Sequence, residues 1–373
     1  MLKEFLKQKK FSVVKKLLRS VGESNFLGVD IGTASIKAAE LEASPLTGAP
    51  RLNNYAILES YSHLDRLNTA IQTSSLKMLE KETAELLRAM LKKLGSKTKN
   101  AVASIPSFLA FTSLVEVPAL SPQELAQTMR YQAQVIVPLP LSEVAIDWIP
   151  VGEYTDEKGV KKQQVFLVSV PNEVVLKYRS VFKAAGLNLK ALEIEGLSLA
   201  RALTFGDPTS TLLVDIGARS TAIMVAENGL LKYNAQTDFA GSSLTQAVAG
   251  GLGVSVRRAE ELKKQKGLLG QGGEYGLSTL MMPFLDVILS EVKRAKNIYE
   301  ENYHGKIERV MLSGGGANLL GIEKYASSEL QLPVVKADPW KKVEFPAAAA
   351  PILAEIGAPL AVAIGLGIRQ FIS

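Results

Sequence analysis

The chain has 373 residues, enough for two or three domains and for large buried cores. It has no cysteine, which excludes disulfides, zinc-thiolate sites and thiol nucleophiles, and only two histidines, His63 and His304, so a Ser-His-Asp triad or a His-based metal site has little to build on. The net charge of +6 resides in residues 1–22, where seven basic side chains stand against one acid; the body is balanced, which argues against nucleic acid as a partner.

That basic segment places Leu2, Leu6, Val13, Leu17 and Val21 on one helical face, interrupted by Lys10. It has no continuous apolar stretch of the kind a secretory signal needs. Two readings stand: a solubilising arm, or an interfacial helix making a weak contact with anionic inner-leaflet lipid. His63 and His304 read as ordinary surface or loop residues.

Phe26–Gly32 reads as a buried strand ending in a glycine turn, followed by strands at Ser35–Ala43 and Arg51–Tyr61. Ser74–Leu94 carries leucines at helical spacing, and Ala101–Ile105 is a short strand. Phe111–Val117 is a strand, and Ser121-Pro122-Gln123-Glu124 opens a helix with Ser at the N-cap and Pro at the first helical position. That helix ends near Val137-Pro138-Leu139-Pro140. Ala145–Tyr154 and Lys161–Val170 flank the turn Asp156–Gly159, a hairpin signal. Residues 111–171 therefore read as an inserted strand-helix-strand-strand module.

Beyond it, Asn172–Ala185 is a helix closed by Gly186, Leu189–Ile194 a strand and Leu197–Thr204 a helix. Thr211–Gly217 is again a buried strand ending in a glycine turn. Helices follow at Ser242–Ala249, Ser255–Lys266 and Ser278–Asn302, with the glycine-rich loop Gly267–Gly276 between the last two. Arg309–Ser313 is a strand running into Gly314-Gly315-Gly316, with a helix from about Leu319 and a final helix over Ile356–Gln370. The apolar window Phe345–Ile368 contains Glu355, three prolines and three glycines, and reads as a core helix after an Ala/Pro-rich loop rather than a membrane span.

The strongest internal signal is a repeat. Leu27-Gly-Val-Asp-Ile-Gly-Thr-Ala-Ser35 matches Leu212-Leu-Val-Asp-Ile-Gly-Ala-Arg-Ser220 at six of nine positions. Two such hairpins half a chain apart indicate two related lobes. A glycine turn lets backbone N–H groups converge on phosphate oxygens without a Cβ in the way. An Asp at the end of a buried strand can hold Mg²⁺, directly or through water. One such hairpin alone is equally a plain Asp turn; two facing each other can clamp a nucleotide's phosphates. The strand ending in Gly314, Gly315 and Gly316 lets a flat base or ribose approach the backbone. No GxxxxGK[ST] loop occurs, and the triple glycine fails the GxGxxG spacing.

Together these motifs resemble the actin, DnaK-type chaperone and sugar kinase ATPase superfamily. Asp30–Lys37 is similar to its first phosphate loop, Asp215–Ile223 to its second, and Leu312–Gly321 to its adenosine motif. Glu195–Ala202 and Gly357–Gly367 are similar to its two interdomain connecting segments. Ala259-Glu260-Glu261-Leu262-Lys263 resembles the helix that borders the ribose and adenine in bacterial actins; read by itself it is a solvated ion pair. The inserted module resembles the subdomain that replaces actin's second lobe in the FtsA and PilM branch. Arg130-Tyr131-Gln132-Ala133-Gln134 followed by Ile136–Pro140, and Glu143–Asp147, are similar to segments of the PilM family of type IV pilus assembly proteins.

The resemblance implies an α/β, actin-like ATPase fold: two RNase H-like lobes with an inserted strand-helix-strand-strand subdomain. The expected divisions are 1–24, a basic tail; 25–110 with 172–208, the first lobe; 111–171, the insertion; 209–250 with 306–373, the second lobe; and 251–305, a helical subdomain. It implies ATP and Mg²⁺ in the cleft. The nucleotide would meet Asp30, Gly32, Thr33, Ala34, Ser35, Lys37, Asp215, Gly217, Ala218, Glu260, Lys263, Gly314, Gly315, Gly316 and Asn318, with Asp30 and Asp215 toward the metal. Glu195 is placed to orient water for hydrolysis, or is a surface residue; binding without rapid turnover is the expected state. The implied partner is the N-terminal cytoplasmic peptide of PilN, in a groove near Arg130, Tyr131, Gln134 and Val137, whose alternative role is packing. Other pilus platform or motor proteins are further implied partners. The implied location is cytoplasmic, peripheral to the inner membrane. An FtsA-like polymer former is the alternative, set back by a C-terminus at Arg369–Ser373 with no linker and amphipathic helix. A metabolic phosphotransferase lacks a recognisable substrate site.

Overall fold

The computed structural model describes residues 26–59, 76–269, 275–303 and 305–371. The basic segment 1–22, His63 and His304 lie outside them, as do the expected strand end at Tyr61, the helix start at Ser74 and part of the loop Gly267–Gly276.

The first lobe begins with β1 (Phe26–Ile31), β2 (Ser35–Ala43) and β3 (Pro50–Glu59), then α1 (Leu76–Leu94) and β4 (Asn100–Ile105). After the insertion come α3 (Asn172–Ala184) and β8 (Asn188–Ile194), and the five strands order as β3-β2-β1-β4-β8. The second lobe holds β9 (Thr211–Ile216), β10 (Thr221–Glu227), β11 (Leu230–Thr237), β12 (Arg309–Ser313) and β13 (Val334–Lys336), ordered β11-β10-β9-β12-β13. The two sheets match strand for strand. Each opens with two antiparallel pairings and closes with two parallel ones. The sequence repeat is therefore a structural repeat, and β1 and β9 are the central strands of their sheets. Central strands need apolar residues on both faces, which explains the continuous runs FLGVDI and TLLVDI.

The insertion is a separate three-stranded antiparallel sheet of β5 (Phe111–Pro118), β7 (Lys161–Pro171) and β6 (Val144–Thr155), with helix α2 (Pro122–Ile136) packed on it. Ser121 and Glu124 form a reciprocal capping box at the start of α2, with Pro122 in the first turn. The β6–β7 turn is set by Asp156, whose Oδ1 accepts from the N–H groups of Lys158 and Val160.

Two helices carry the chain between the lobes: α4 (Glu195–Thr204) and α9 (Ala350–Ile368). They touch at Gly365, where an added Cβ would lie 2.0 Å from the Ser198 carbonyl oxygen. Helix α9 is long and apolar enough to cross a membrane, but 67% of its apolar window is buried against the two lobes. It starts at Ala350 rather than near Ile356, because Pro351 falls in its first turn, where no N–H is needed. The expected helix from Leu319 is instead a short 3-10 turn, Gly315–Asn318, followed by α8 (Ile322–Leu330), since Gly321 turns the chain at φ +86°. Helices α5 (Gly241–Leu252), α6 (Val256–Lys266) and α7 (Tyr275–Asn302) pack on the second lobe.

Candidate functional site

The repeated motif produces two matching turns. The Gly32 N–H donates to Ser35 O at 2.9 Å, and the Gly217 N–H donates to Ser220 O at 3.1 Å. Each turn follows an aspartate at the end of a central strand. Asp30 is 6% exposed, and its Oδ1 accepts from Ser104 Oγ of β4 at 2.7 Å. Asp215 stands beside Ser313 of β12 in register and takes a hydrogen bond from it. Each aspartate thus has a serine on the neighbouring parallel strand.

Lys37 pairs with Asp30 and feels the charge of Asp215. Its Nζ lies 3.1 Å from Asp30 Oδ2. Burial disfavours the ammonium, but Asp30, Asp215 and Glu195 outweigh burial and hold its pKa above the ordinary value. Asp215 is raised too, which for a carboxyl disfavours the charged form: burial raises it, Asp30 adds to this, and Lys37 and Ser313 only partly offset it. Glu195 is pushed up to about 8, first by burial and then by Asp215 and Asp30. Three carboxylates and one lysine therefore share a crowded site with excess negative charge, an arrangement that favours a bound cation.

The third glycine element closes on this cluster. Gly314 has φ +76°, and an added Cβ would lie 2.6 Å from Ile216 O and 3.0 Å from Asp215 Oδ1, so no larger residue fits there. Gly315 is open to solvent and Gly316 packs on Ile216. Asn318 donates from Nδ2 to Glu355 O at 3.1 Å, while its buried Oδ1 has no partner. Thr33 is exposed, and Ala34, Ser35 and Ala218 are half-buried around the two turns.

Glu260 and Lys263 do not form a solvated pair. Lys263 is buried, 2.7 Å from Glu260, and also donates to Gly241 O at 2.9 Å and Thr245 Oγ1 at 2.7 Å. Burial lowers the Lys263 pKa despite Glu260, and Lys263 holds Glu260 below the usual range against its own burial. The pair clamps α6 to the start of α5. That helix start is hydrogen-bonded to the second turn: Gly241 N–H donates to Gly217 O at 3.0 Å and Ser242 N–H to Ala218 O at 2.8 Å. The buried Ser242 Oγ has no protein partner.

Chain comparison decides the family. A family model described as "Type IV pilus assembly protein PilM" matches residues 28–371. The chain belongs to the PilM family. Among solved structures, this PilM-family chain is similar to a PilM-PilN type IV pilus biogenesis complex, with TM-score 0.77 at 22% identity over 93% of this chain and 99% of that one. It also resembles the ethanolamine utilization protein EutJ of Carboxydothermus hydrogenoformans, with TM-score 0.55 and 18% identity over 95% of this chain and 92% of that one. An AMPPNP-bound MreB 5 of Spiroplasma citri aligns with TM-score 0.50 and 13% identity over 93% of this chain and 96% of that one. These likenesses establish the actin-like fold. The cell division protein FtsA of Bacillus subtilis is 27% identical over 149 residues, 36% of this chain and only 34% of that protein.

In this PilM-family chain the inserted subdomain exposes Arg130, Tyr131 and Gln134 on α2. Val137 is different: it is buried in the subdomain's own core with Leu125, Met129, Ala133 and Leu167, so its side chain packs rather than faces outward. Sequence reading missed Ser104, Ser107, Gly241, Ser242, Thr245 and Ser313. None belongs to a local motif. The strand order would have found Ser104 and Ser313, because parallel neighbours of β1 and β9 must end beside Asp30 and Asp215.

Proposed function

We propose that the chain is a cytoplasmic, ATP-binding scaffold of the pilus assembly platform, peripheral to the inner membrane, that recruits the N-terminal peptide of a PilN-type partner. The observation that carries it is the matched pair Asp30 and Asp215, each at the turn of a repeated hairpin, with Lys37 3.1 Å from Asp30 and near enough to Asp215 to feel its charge. The residues present fit Mg-ATP. Two carboxylates offer hard oxygen ligands for Mg²⁺, the glycine turns leave backbone open to phosphate, and Ser242 Oγ and Asn318 Oδ1 are buried polar atoms lacking protein partners. In this reading Glu260 and Lys263 hold the ribose side in place through Gly241 rather than meeting solvent. Bound nucleotide supplies differential affinity for the closed arrangement of the lobes and stabilises it by mass action.

Calorimetric titration with ATP, with and without Mg²⁺, tests the cleft. A PilN N-terminal peptide that fails to bind at high micromolar concentration with Mg-ATP present sinks the partner assignment. The partial likeness to FtsA supports a second reading, a polymer former. Sedimentation of filaments with ATP favours it over the scaffold.

A further inference from the structure

The balanced body does not spread its charges evenly. Helix α1 ends on Lys92 and Lys93, the loop after it carries Lys97 and Lys99, α3 ends near Lys183, and β8 carries Lys190; all six are exposed. The fold gathers these four segments at one end of the first lobe. Asn188 N–H donates to Lys99 O at 2.7 Å, Asn54 Nδ2 to Leu94 O at 2.7 Å, and Ser96 Oγ to Glu40 Oε1 at 2.9 Å. This is the end where β4 and β8 begin, opposite the Asp30 turn. A groove of about 730 Å³ opens there, lined by Asn53, Asn54, Ser96, Lys97, Lys99 and Asn188 among others.

Among the described residues, Lys92, Lys93, Lys97, Lys99 and Lys183 have no carboxylate partner. Helix dipoles account for the lysines that close α1 and α3. They do not account for Lys97 and Lys99, which sit on a loop. Of the acids nearby, Glu40 is 3% exposed in the groove and accepts from Ser96 Oγ, and Glu42 stands opposite Arg51 in register. Phe26, where the chain enters β1, is at this same end, and the segment preceding it carries the whole net charge of the protein.

We infer that this end of the first lobe is an electrostatic docking face for an anionic lipid surface. The arrangement selects the occupant. The lysines stand around the rim on four segments and on long stems, so they meet an extended surface at several points at once. The groove holds a carboxylate, so an acidic peptide drawn into it meets Glu40 instead of a cation. The face is a property of the folded body and does not depend on the nucleotide reading.

The test is sedimentation of the full chain with vesicles of equal parts phosphatidylglycerol and phosphatidylcholine, or of phosphatidylcholine alone. Binding is expected only to the anionic vesicles and is released at about 0.5 M salt, where screening removes surface attraction. Lys97→Glu with Lys99→Glu is expected to weaken it at least tenfold with the N-terminal segment intact, at unchanged thermal midpoint and unchanged Mg-ATP affinity. Lys9→Glu with Lys10→Glu is expected to weaken it less. If the loop reversal shifts the midpoint, Lys97→Gln with Lys99→Gln must still weaken binding severalfold. Equal binding by wild type and the loop variants overturns the proposal, as does complete loss in the Lys9/Lys10 variant. Tighter binding of a heptaglutamate peptide than of anionic vesicles also overturns it.

Discussion

The Ser107 N–H donates to Glu195 Oε1 at 3.1 Å, joining the stem of the inserted subdomain to the carboxylate cluster of the cleft. The same serine continues the connection: its Oγ lies 3.3 Å from Asn234 Oδ1 on β11, and Asn234 Nδ2 lies 3.4 Å from Thr112 Oγ1 on β5. Cleft, insertion and second lobe thus share one chain of polar contacts. Glu195 anchors it while lying near two other carboxylates, and its raised pKa follows from burial and from Asp215 and Asp30.

That shift predicts a pH-dependent mutant. A carboxyl with a folded pKa of about 8 and an ordinary value of 4.5 binds an extra proton in the folded state between those limits. Its cost to stability is absent below about pH 4.5, grows as pH rises, and is complete above about pH 8. Glu195→Gln removes the ionisation. At about 1.4 kcal/mol per unit, the ligand-free variant is expected to gain on the order of 1–4 kcal/mol over wild type at pH 9, and little at pH 5. Urea unfolding at both values checks this; equal differences at the two values contradict it.

Asn234→Ala breaks the chain where it leaves the second lobe. A typical net hydrogen bond is worth about 1 kcal/mol, and two long contacts are lost, so a loss of about 1 kcal/mol is expected. Because Asn234 stands two contacts from Glu195, ATP affinity should stay within about twofold. Urea midpoints and calorimetry measure the two effects separately.

Asp215 and Asp30 separate binding from stability. Burial and Asp30 oppose ionised Asp215, so Asp215→Asn should raise the thermal midpoint of the ligand-free protein while weakening Mg-ATP at least tenfold. Asp30→Ala should weaken Mg-ATP too, but lower the midpoint, since Lys37 and Ser104 both lose their partner. Unchanged nucleotide affinity in both variants removes the phosphate-clamp reading.

Legibility in the sequence followed locality. The two DIG hairpins, the glycine strand end and the inserted module are each short contiguous patterns, and each appears where the sequence places it. The serines beside Asp30 and Asp215 come from strands far along the chain, so only the sheet order brings them in. Glu195 stayed open between cleft and surface because nothing local marks the Ser107 N–H that holds it. The Glu260 and Lys263 spacing reads equally as an exposed pair. What buries it is the start of α5, contributed by Gly241 and Thr245. Val137 follows directly on a helix whose residues Tyr131 and Gln134 are exposed, and only the sheet beneath shows that it faces inward.

Lys263→Met leaves the half-buried Glu260 with only the exposed Lys264, 3.8 Å away, as a cation. Removing one partner of a buried pair costs about 3–5 kcal/mol, and here Thr245 still donates to Glu260, which places the expected loss near ~3 kcal/mol. Glu260→Gln keeps a hydrogen-bonding group beside Lys263 and should cost less. The loss should also loosen the Gly217 turn through Gly241, so Mg-ATP affinity falls along with the urea midpoint. A variant that loses stability but keeps full affinity would show that the clamp serves α6 alone.

The crossing of α4 and α9 is the tightest approach between the two connecting helices. At Gly365 an added Cβ would sit 2.0 Å from Ser198 O and 2.6 Å from its carbonyl carbon, both backbone atoms that cannot rotate away. Gly365→Ala must push the helices apart, and overpacking of this kind costs about 1–3 kcal/mol or more. Arg201, which donates to both Gly365 O and Glu193, would be displaced with it. Gly250 provides the control: it lies in α5 with nothing within 4 Å of an added Cβ. There the same substitution only removes backbone freedom from the unfolded chain, and a gain of up to ~1 kcal/mol is expected. Urea unfolding of the two variants should give opposite signs. A neutral Gly365→Ala would mean that the helices slide without cost, and that the crossing does not fix the angle between the lobes.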